Sequence, residues 1–526
     1  MIRKLHLLPW LLIQLSLFAQ TEESRYTNPI IHADYSDPDV IRVGSEFYLT
    51  ASSFNCAPGL PILHSRDLVH WKIVNYVFQR QFPEQVFAKP QHGSGVWAPA
   101  IRFHHGWFYI FYGDPDFGIY RTRSRDPEGD WERPHLVVEA KGWIDPCPFW
   151  DDDGRAYLVH ALAGSRAGSK SIILLHKMTP DGDHLLDDGV LVFDGHDQHP
   201  TIEGTKMHKR NGYYCILAPA GGVANGWQTM LRSKNIYGPY EAKIILHQGE
   251  TEVNGPHQGA WVELENGEDW FIHFQEKQPY GRVVHLQPAR WVNNWLQIGQ
   301  DSNEDGIGEP VASWTIPSLD QRFKDWQPQT TDEFNEPVIG LQWQWQANPQ
   351  ALWALPGALG YLRLNPALRP DTINRWSAPY LLLQKMPAES FTVRTKVNFH
   401  HHFDGERTGL IVMGIDYAHL SLIQENDQLQ LQMTTCTKAQ TGHPEQIQSQ
   451  IPARSGVVEL QVTVSSGGMC RFGYRYDSSS WQEIGPPFQA KEGKWIGAKI
   501  GIFCDRLAPE NDGGYADYDW FRVSLN

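Results

Sequence analysis

The sequence has little cysteine, little positive charge and few long apolar runs. Its six cysteines include no C-x-x-C pair, so their spacing predicts no disulfide framework and argues against a zinc site. Asp and Glu outnumber Lys and Arg by 60 to 45, and the resulting net charge of −15 argues against a nucleic-acid partner. Beyond residue 18, no apolar stretch is long enough to span a membrane. An uncharged polysaccharide is compatible with this composition.

The longest apolar run lies at the N-terminus and is typical of an export signal. Arg3 and Lys4 precede the apolar residues 7–18, and the small residue Ala19 comes before a polar stretch. This pattern predicts a secretory signal peptide over residues 1–20, because the run is too short for a membrane span. We therefore expect a secreted or periplasmic protein. No cysteine lies beside the expected cleavage point, so no lipid or membrane anchor is predicted.

Length and internal repetition predict two all-β domains. The 526 residues exceed what one hydrophobic core usually organises. Between residues 26 and 320 the sequence repeats weakly, and aromatic or β-branched runs such as RAYLVHA and GYYCIL are bounded by turn residues. The five repeats start at Asp37, Trp97, Asp145, Glu203 and His257. Repeated short strands at this spacing predict a five-bladed β-propeller over residues 26–320.

The repeat ends at a proline-containing segment near residues 318–332, which suits a linker. Beyond it, runs such as FTVRTKVNF and VVELQVTVSS alternate with polar turns. Regular short strands of this kind predict an antiparallel β-sandwich over residues 333–526. The tract FHHHF at residues 399–403 falls between two predicted strands, so we expect a loop there rather than a metal site.

Three of the five repeat starts are acidic. Because the blades of a propeller begin at its central axis, Asp37, Asp145 and Glu203 are predicted to share one cavity. Glycoside hydrolysis needs one carboxyl group as acid and one as base, and a third carboxylate can keep the acid protonated. The set therefore predicts Glu203 as general acid, Asp37 as general base and Asp145 as the group that tunes the acid. The alternative is that the Asp-Pro pairs at residues 37–38 and 145–146 only form turns.

Several motifs carry a family resemblance. In chain order they are NPIIHADYSDPDVIRVGSEFYLTASSF, GVWAPAIRFHHGWFYIFY, GWIDPCPFWDDDGRAYLV, IEGTKMHKRNGYYCI, GPHQGAWVE, YGRVVHLQPARW and DEFNEPVIGLQWQWQANP. Together they resemble glycoside hydrolase family 43, in its branch of β-xylosidases and α-L-arabinofuranosidases with a C-terminal lectin-like sandwich. The resemblance covers nearly the whole chain after the expected signal peptide. It implies a concanavalin A-like jelly roll for the second domain.

The resemblance also implies how the site works. It implies an inverting mechanism, in which Asp37 activates a water while Glu203 protonates the leaving oxygen. It places Phe54 and Trp97 against the pentose. It also assigns Arg282 to a hydrogen bond with a sugar hydroxyl, and in that position Arg282 would keep Asp145 ionised.

The resemblance places His257 at the propeller axis, where it would face substrate, water or an ion. It implies no required cofactor, and a structural calcium ion at the axis is the one metal that it leaves room for. The sequence offers no cluster of oxygen ligands that would define a calcium cage. We expect a sandwich loop, either residues 399–403 or residues 504–514, to narrow the cavity and restrict the enzyme to chain ends.

The expected activity is exo-acting hydrolysis that releases α-L-arabinofuranosyl residues, and also β-D-xylosyl residues, from plant hemicellulose oligosaccharides. A dedicated β-1,4-xylosidase is the nearest alternative. A non-catalytic carbohydrate-binding propeller belongs to a different class, and the intact set of three carboxyl groups argues against it. An endo-acting arabinanase needs an open groove, and the second domain argues against that.

Overall fold

The computed structural model describes residues 24–319, 326–357, 359–509 and 511–525. The expected signal peptide, residues 1–20, lies outside them, as does part of the expected linker. The described residues are almost entirely β-structure. Their helices are the α-helix Gly164–Ala167 and the 3-10 helices Gln278–Tyr280 and Ala439–Thr441. None of the helices in the described ranges has the length and apolarity needed to cross a membrane.

The first domain is a five-bladed β-propeller, which confirms the predicted fold class. Each blade is a four-stranded antiparallel sheet whose strands pair in chain order. The strands are Asp39–Val43, Glu46–Thr50, Gly59–Ser65 and Lys72–Phe78 in blade I; Trp97–His104, Trp107–Asp114, Gly118–Ser124 and His135–Glu139 in blade II; Trp143–Trp150, Ala156–Leu162, Ile172–Met178 and Val190–Asp194 in blade III; Lys206–Arg210, Tyr213–Ala220, Trp227–Ser233 and Glu241–Leu246 in blade IV; and His257–Glu263, Asp269–Glu276, Arg282–Val292 and Trp295–Ile298 in blade V. Ala156–Leu162 is buried at every residue, because neighbouring blades cover both faces of its sheet.

The N-terminal segment is tied to the last blade. Arg25–Thr27 pairs with Ser313–Thr315 as a small antiparallel sheet. Tyr26 is buried, and its hydroxyl donates to the Leu286 carbonyl at 2.8 Å. These contacts fix the ends of the propeller ring to each other. They also hold in place the segment that leads to Asp37.

The entrances to the five innermost strands share an unusual backbone conformation. One residue in each blade has a left-handed φ between 34° and 64°, namely Asp37, Ala98, Asp145, Gly204 and Gln258. Trp97, Glu203 and His257 therefore lie one residue before the true equivalents of Asp37 and Asp145. The ladder shifts register at three of these entrances. Such bulges redirect side chains and, like left-handed non-glycine residues, concentrate at functional sites.

The second domain is a concanavalin A-like β-sandwich of two eight-stranded sheets. The first sheet contains Gln344–Trp345, Leu382–Lys385, Lys499–Arg506, Arg407–Met413, Tyr417–Glu425, Gln428–Cys436 and Gln446–Pro452, with Ala367–Leu368 beside Lys499–Arg506. The second contains Ala354–Pro356, Leu362–Leu364, Tyr515–Leu525, Phe391–His400, Val457–Ser465, Met469–Arg475 and Gln482–Glu483, with Phe488–Gln489 beside Met469–Arg475. Buried and partly exposed residues alternate along Val457–Ser465, so one face of this strand fills the core between the sheets.

The sandwich packs on the propeller through polar and main-chain contacts. Ala57 in blade I forms an isolated antiparallel bridge with Trp345. Gln81 and Asn348 are buried and bond reciprocally: the Gln81 N–H donates to Asn348 Oδ1 at 2.7 Å, and Asn348 Nδ2 donates to the Gln81 carbonyl at 2.9 Å. These contacts bring sandwich residues to the side of the propeller mouth.

Candidate active site

The largest concentration of predicted site residues surrounds a cavity at one mouth of the propeller. The structure brings Asp37, Asp145 and Glu203 together there, each at the entrance of an innermost strand. The cavity volume is about 230 Å³. Pockets for drug-sized ligands are usually ~300–1,000 Å³, so this one suits a single sugar ring rather than a length of polymer.

Asp37 is held as a paired carboxylate. It is 5 % exposed, and its Oδ1 accepts from Arg282 Nη1 at 3.0 Å. Its Oδ2 accepts from the hydroxyls of Ser36 at 3.0 Å and Ser52 at 2.5 Å. Ser52 in turn accepts the Ala98 N–H at 2.7 Å, so the position of its hydroxyl is fixed by the next blade. Three side-chain donors, one of them a guanidinium, therefore hold the Asp37 carboxylate in one orientation.

Asp145 is gripped by the residues that follow Glu203. The Gly204 N–H donates to Asp145 Oδ2 at 2.6 Å, and the Thr205 hydroxyl donates to the Asp145 carbonyl at 2.8 Å. Burial raises the pKa of Asp145 to about 7, and the Asp37 carboxylate adds to the rise, whereas the Gly204 N–H and the buried Lys206 ammonium lower it. The local sequence Glu-Gly-Thr-Lys therefore places Glu203 and the groups that contact Asp145 in one short segment.

Glu203 has the electrostatic environment of a general acid. Its side chain is partly exposed, but toward the cavity, and no side-chain hydrogen bond holds it among the described residues. Burial raises the pKa of Glu203 to about 8, and the carboxylates of Asp145 and Asp37 add to the shift. Like charges disfavour a further negative charge nearby, so Glu203 keeps its proton at neutral pH. The assignment of Asp145 as the tuning residue stays a prediction that this arrangement supports.

The raised pKa predicts a pH-dependent gain in stability for Glu203→Gln. The folded state retains a proton on Glu203 between its ordinary value of 4.5 and about 8, whereas the unfolded chain loses it. Stability from this group is therefore complete below pH 4.5 and is lost as pH rises through about 8. Glutamine stays neutral, so we expect the melting temperature of the variant, relative to wild type, to rise from pH 5 to pH 9. Thermal unfolding at both pH values checks this, and an equal or smaller difference at pH 9 would contradict it.

The guanidinium of Arg282 pairs with the carboxylate of Asp37 rather than with that of Asp145, which was the expected partner. Its guanidinium donates to Asp37 and to the Ser36 hydroxyl, the latter at 2.6 Å. Its charge contributes to lowering the pKa of Asp145, but behind the Gly204 N–H and Lys206. Arg282 does line the cavity, as expected of a substrate-binding residue. The difference arises because Asp37 and the start of the strand Arg282–Val292 are neighbours in the closed ring.

Three aromatic side chains form the cavity walls, and one of them was not predicted. Phe54 and Trp97 line the cavity with ring centroids 6.4 Å apart in an edge-to-face arrangement. Trp495, from the sandwich, continues this wall 6.2 Å from Trp97 and is 44 % exposed. Aromatic faces of this kind suit the apolar C–H faces of a sugar. No local pattern distinguishes Trp495 from the other tryptophans of the chain.

The sandwich segment that reaches the cavity is a different one from the two loops expected. None of the described residues in 399–403 or in 504–514 contributes to the cavity lining. Trp495 lies instead in the connection that precedes the strand Lys499–Arg506. The histidine tract ends the strand Phe391–His400, and His402 bonds to the Asp512 carbonyl, so those two segments contact each other rather than the propeller mouth.

His257 lies beneath the cavity rather than in its wall. It is 0 % exposed, whereas the next residue, Gln258, lines the cavity. Burial lowers the pKa of His257 to about 3, so the imidazole is neutral. Neither of its ring nitrogens has a hydrogen-bond partner among the residues that the structure describes. His257 therefore does not lie where the expected contact with substrate would place it. The residue with the left-handed backbone that turns toward the cavity is Gln258.

The calcium ion that the resemblance allows at the axis stays a prediction. A neutral imidazole with a free nitrogen can bind a cation, but calcium prefers six to eight oxygen ligands. Within the described ranges, no group of three or more His, Cys, Asp or Glu side chains could hold a metal ion. All six cysteines lie in the described ranges, where they are buried and form no disulfide bond.

A propeller mouth with an arginine-paired carboxylate beside carboxyl groups of raised pKa has the makeup of a glycoside hydrolase. The chain belongs to the glycosyl hydrolases of family 43, whose family model matches residues 26–296. A second model, the beta xylosidase C-terminal concanavalin A-like domain, matches residues 331–524. The predicted family and the prediction of a glycosidase are thereby confirmed.

Three known proteins show the range of similarity. The chain is 38 % identical to a putative beta-xylosidase of Xylanibacter ruminicola, over 92 % of this chain and 87 % of that protein. It is 27 % identical to the non-reducing end alpha-L-arabinofuranosidase BoGH43B of Bacteroides ovatus, over 95 % and 94 % of the two chains. The crystal structure of xylan beta-1,4-xylosidase from Bacillus halodurans C-125 superposes with a TM-score of 0.83 at 26 % identity, covering 95 % of this chain and 99 % of that one.

Proposed function

We propose that the protein is an exo-acting, inverting glycosidase that removes single β-D-xylosyl residues from the non-reducing ends of hemicellulose oligosaccharides. The observation that carries this proposal is the small cavity that contains Asp37, Asp145 and Glu203 and is bounded by Trp495. A pocket with a wall from the second domain admits one terminal sugar and excludes the interior of a chain. The names of the Xylanibacter and Bacillus relatives favour xylose as that sugar.

The proposed chemistry is a single displacement. The Asp37 carboxylate accepts a proton from water as the water oxygen attacks the anomeric carbon, and Glu203 gives its proton to the departing glycosidic oxygen. The Arg282 and Ser52 contacts orient Asp37 before reaction. The carboxylate of Asp145 favours the protonated form of Glu203 between turnovers.

Release of α-L-arabinofuranosyl residues is the second candidate, and it was the preferred activity on sequence grounds. The observation that favours it is the similarity to the arabinofuranosidase of Bacteroides ovatus along nearly the whole of both chains. Both sugars are pentoses that present similar hydroxyl patterns to a small pocket. We therefore place xylose first and arabinose second.

Hydrolysis of p-nitrophenyl β-D-xyloside and p-nitrophenyl α-L-arabinofuranoside by the wild-type protein tests the proposal. We expect kcat/KM to be higher for the xyloside. A higher value for the arabinoside would select the second candidate. Binding of xylo-oligosaccharides without hydrolysis of them or of either aryl glycoside would favour a non-catalytic carbohydrate-binding propeller.

We propose that no metal ion is required, because carboxyl groups supply both the acid and the base. Treatment with EDTA followed by gel filtration is expected to leave kcat for the aryl xyloside within about twofold of the untreated value. Loss of activity that calcium restores, accompanied by a lower melting temperature after EDTA, would show instead that an ion at the axis supports the fold.

The proposed place of action is the periplasm or the extracellular space, and the proposed partner is an oligosaccharide rather than a nucleic acid or a membrane. The support is the export pattern of residues 1–20 and the acidic net charge of −15. Cell fractionation of the full chain tests this proposal, and intact precursor in the cytoplasm alone would oppose it.

A further inference from the structure

The sandwich segment that carries Trp495 touches the propeller main chain to main chain. The Ala498 N–H donates to the Pro279 carbonyl at 2.7 Å. Gly497 lies so close to Gly281 that a Cβ atom on Gly497 would be 2.6 Å from the Gly281 nitrogen. A side chain at residue 497 would therefore force the two segments apart. The position of Trp495 depends on this close contact, because only one residue separates it from Gly497.

Asp34 joins the two segments from inside the propeller. It is 4 % exposed, and its two carboxylate oxygens accept main-chain N–H groups from different domains. Oδ1 accepts from Arg282 at 2.9 Å, and Oδ2 accepts from Gly497 at 2.9 Å. Hydrogen bonds to an ionised acceptor are stronger than neutral ones, and a buried N–H that loses its acceptor is destabilising. One carboxylate thus fixes both segments relative to each other.

Both of the segments that Asp34 joins continue directly into the cavity. The side chain of Arg282 holds Asp37 and Ser36, and its guanidinium lies 5.7 Å from the centre of the Trp495 ring. Asp34 itself does not line the cavity. Its influence on a bound sugar must therefore pass through the Trp495 wall or through the Arg282–Asp37 pair.

We infer that Asp34 is a positioning residue that sets the separation between the Trp495 wall and the Arg282–Asp37 pair, and so determines how tightly a terminal sugar is held. This inference rests on the proposed glycosidase function. It assigns to Asp34 a role in substrate affinity that its buried position, outside the cavity, does not reveal. The sandwich is then a functional part of the sugar site, because the carboxylate couples the placement of its loop to the propeller.

Asp34→Asn tests the inference, because the amide keeps the size of the side chain but replaces one acceptor oxygen with a donor. We expect kcat/KM for p-nitrophenyl β-D-xyloside to fall roughly tenfold to a hundredfold, mainly through a higher KM, as for other small misplacements of site groups. Asp67→Asn is the matched control. Asp67 is also buried and accepts two main-chain N–H groups, from Val69 and His70, but away from the cavity. Asp67→Asn should lower the melting temperature and leave KM unchanged.

A double-mutant cycle with Trp495→Ala separates positioning from general stability. The inferred role lies in the separation from the Trp495 wall, so the double variant should have nearly the same kcat/KM as Trp495→Ala alone. Wild-type kinetics in Asp34→Asn, or losses that multiply in the double variant, would overturn the inference.

Gly497→Ala provides a second route if Asp34→Asn does not fold. It keeps the carboxylate but displaces the loop, so KM should rise in the same way, and an unchanged KM would overturn the inference. A wild-type protein that hydrolyses no glycoside would remove the proposed function itself. An active wild type with an insensitive Asp34→Asn variant would remove only the role of Asp34.

Discussion

Glu203→Gln is expected to lower kcat/KM for xylobiose by roughly 10²–10⁴-fold, the usual contribution of general acid catalysis. The physical reason is that the sugar leaving group of xylobiose is a poor one and needs a proton as the glycosidic bond breaks. Glutamine fills the same space but has no transferable proton. Burial and the neighbouring carboxylates keep Glu203 protonated with a pKa of about 8, so the loss should be visible at neutral pH. Steady-state kinetics at pH 7 measures it.

The leaving group distinguishes loss of the acid from a general loss of the site. The leaving group of a 2,4-dinitrophenyl xyloside, 2,4-dinitrophenolate, departs without protonation. Glu203→Gln should therefore hydrolyse this substrate at close to the wild-type rate. Glu265→Gln, at a residue whose side chain is 72 % exposed on the propeller surface, is the matched control and should be unaffected with either substrate. Equal losses on both substrates would exclude Glu203 as the general acid.

Asp37→Asn is expected to abolish most activity whatever the leaving group, again by roughly 10²–10⁴-fold in kcat. Attack by water is required for every substrate, and an amide cannot accept the proton of that water. The change also removes the ion pair with Arg282 at 3.0 Å and turns one acceptor of the Ser36 and Ser52 hydroxyls into a donor. Kinetics with xylobiose and with the dinitrophenyl xyloside should therefore show the same large decrease.

Asp153→Asn is a suitable control for Asp37→Asn, because Asp153 is an exposed turn residue of blade III. It should retain wild-type kinetics. An Asp37→Asn variant that keeps normal activity on both substrates would contradict the assignment of the base. Full activity on the dinitrophenyl xyloside alone would mean that Asp37 and Glu203 have exchanged roles.

The sequence was sufficient to predict the fold and the shared cavity of the three carboxyl residues, because both leave local signals. Each blade repeats a strand pattern, and Asp37, Asp145 and Glu203 each stand at the entrance to a blade. The one-residue difference in register was not predictable from the spacing. It depends on left-handed residues such as Ala98 and Gln258, whose conformation the pattern of apolar residues does not encode.

Features that depend on the meeting of the two domains were not predictable from the sequence. Trp495 and Phe54 lie more than 400 residues apart in the chain but line the same cavity. Asp34 and Gly497 are separated by 463 residues and share a hydrogen bond. The family resemblance implied that a sandwich loop would reach the propeller mouth, but the choice among loops depends on the orientation of the sandwich, which no local motif specifies.

Proton NMR of the first sugar released from a β-D-xyloside tests the central claim most directly. A single displacement, with Asp37 activating water and Glu203 protonating the leaving oxygen, produces α-xylose first, and the β-anomer then appears only as fast as free xylose mutarotates. We predict the α-anomer as the initial product. Initial release of β-xylose would contradict the account, because retention requires a covalent sugar intermediate on one of the carboxylates.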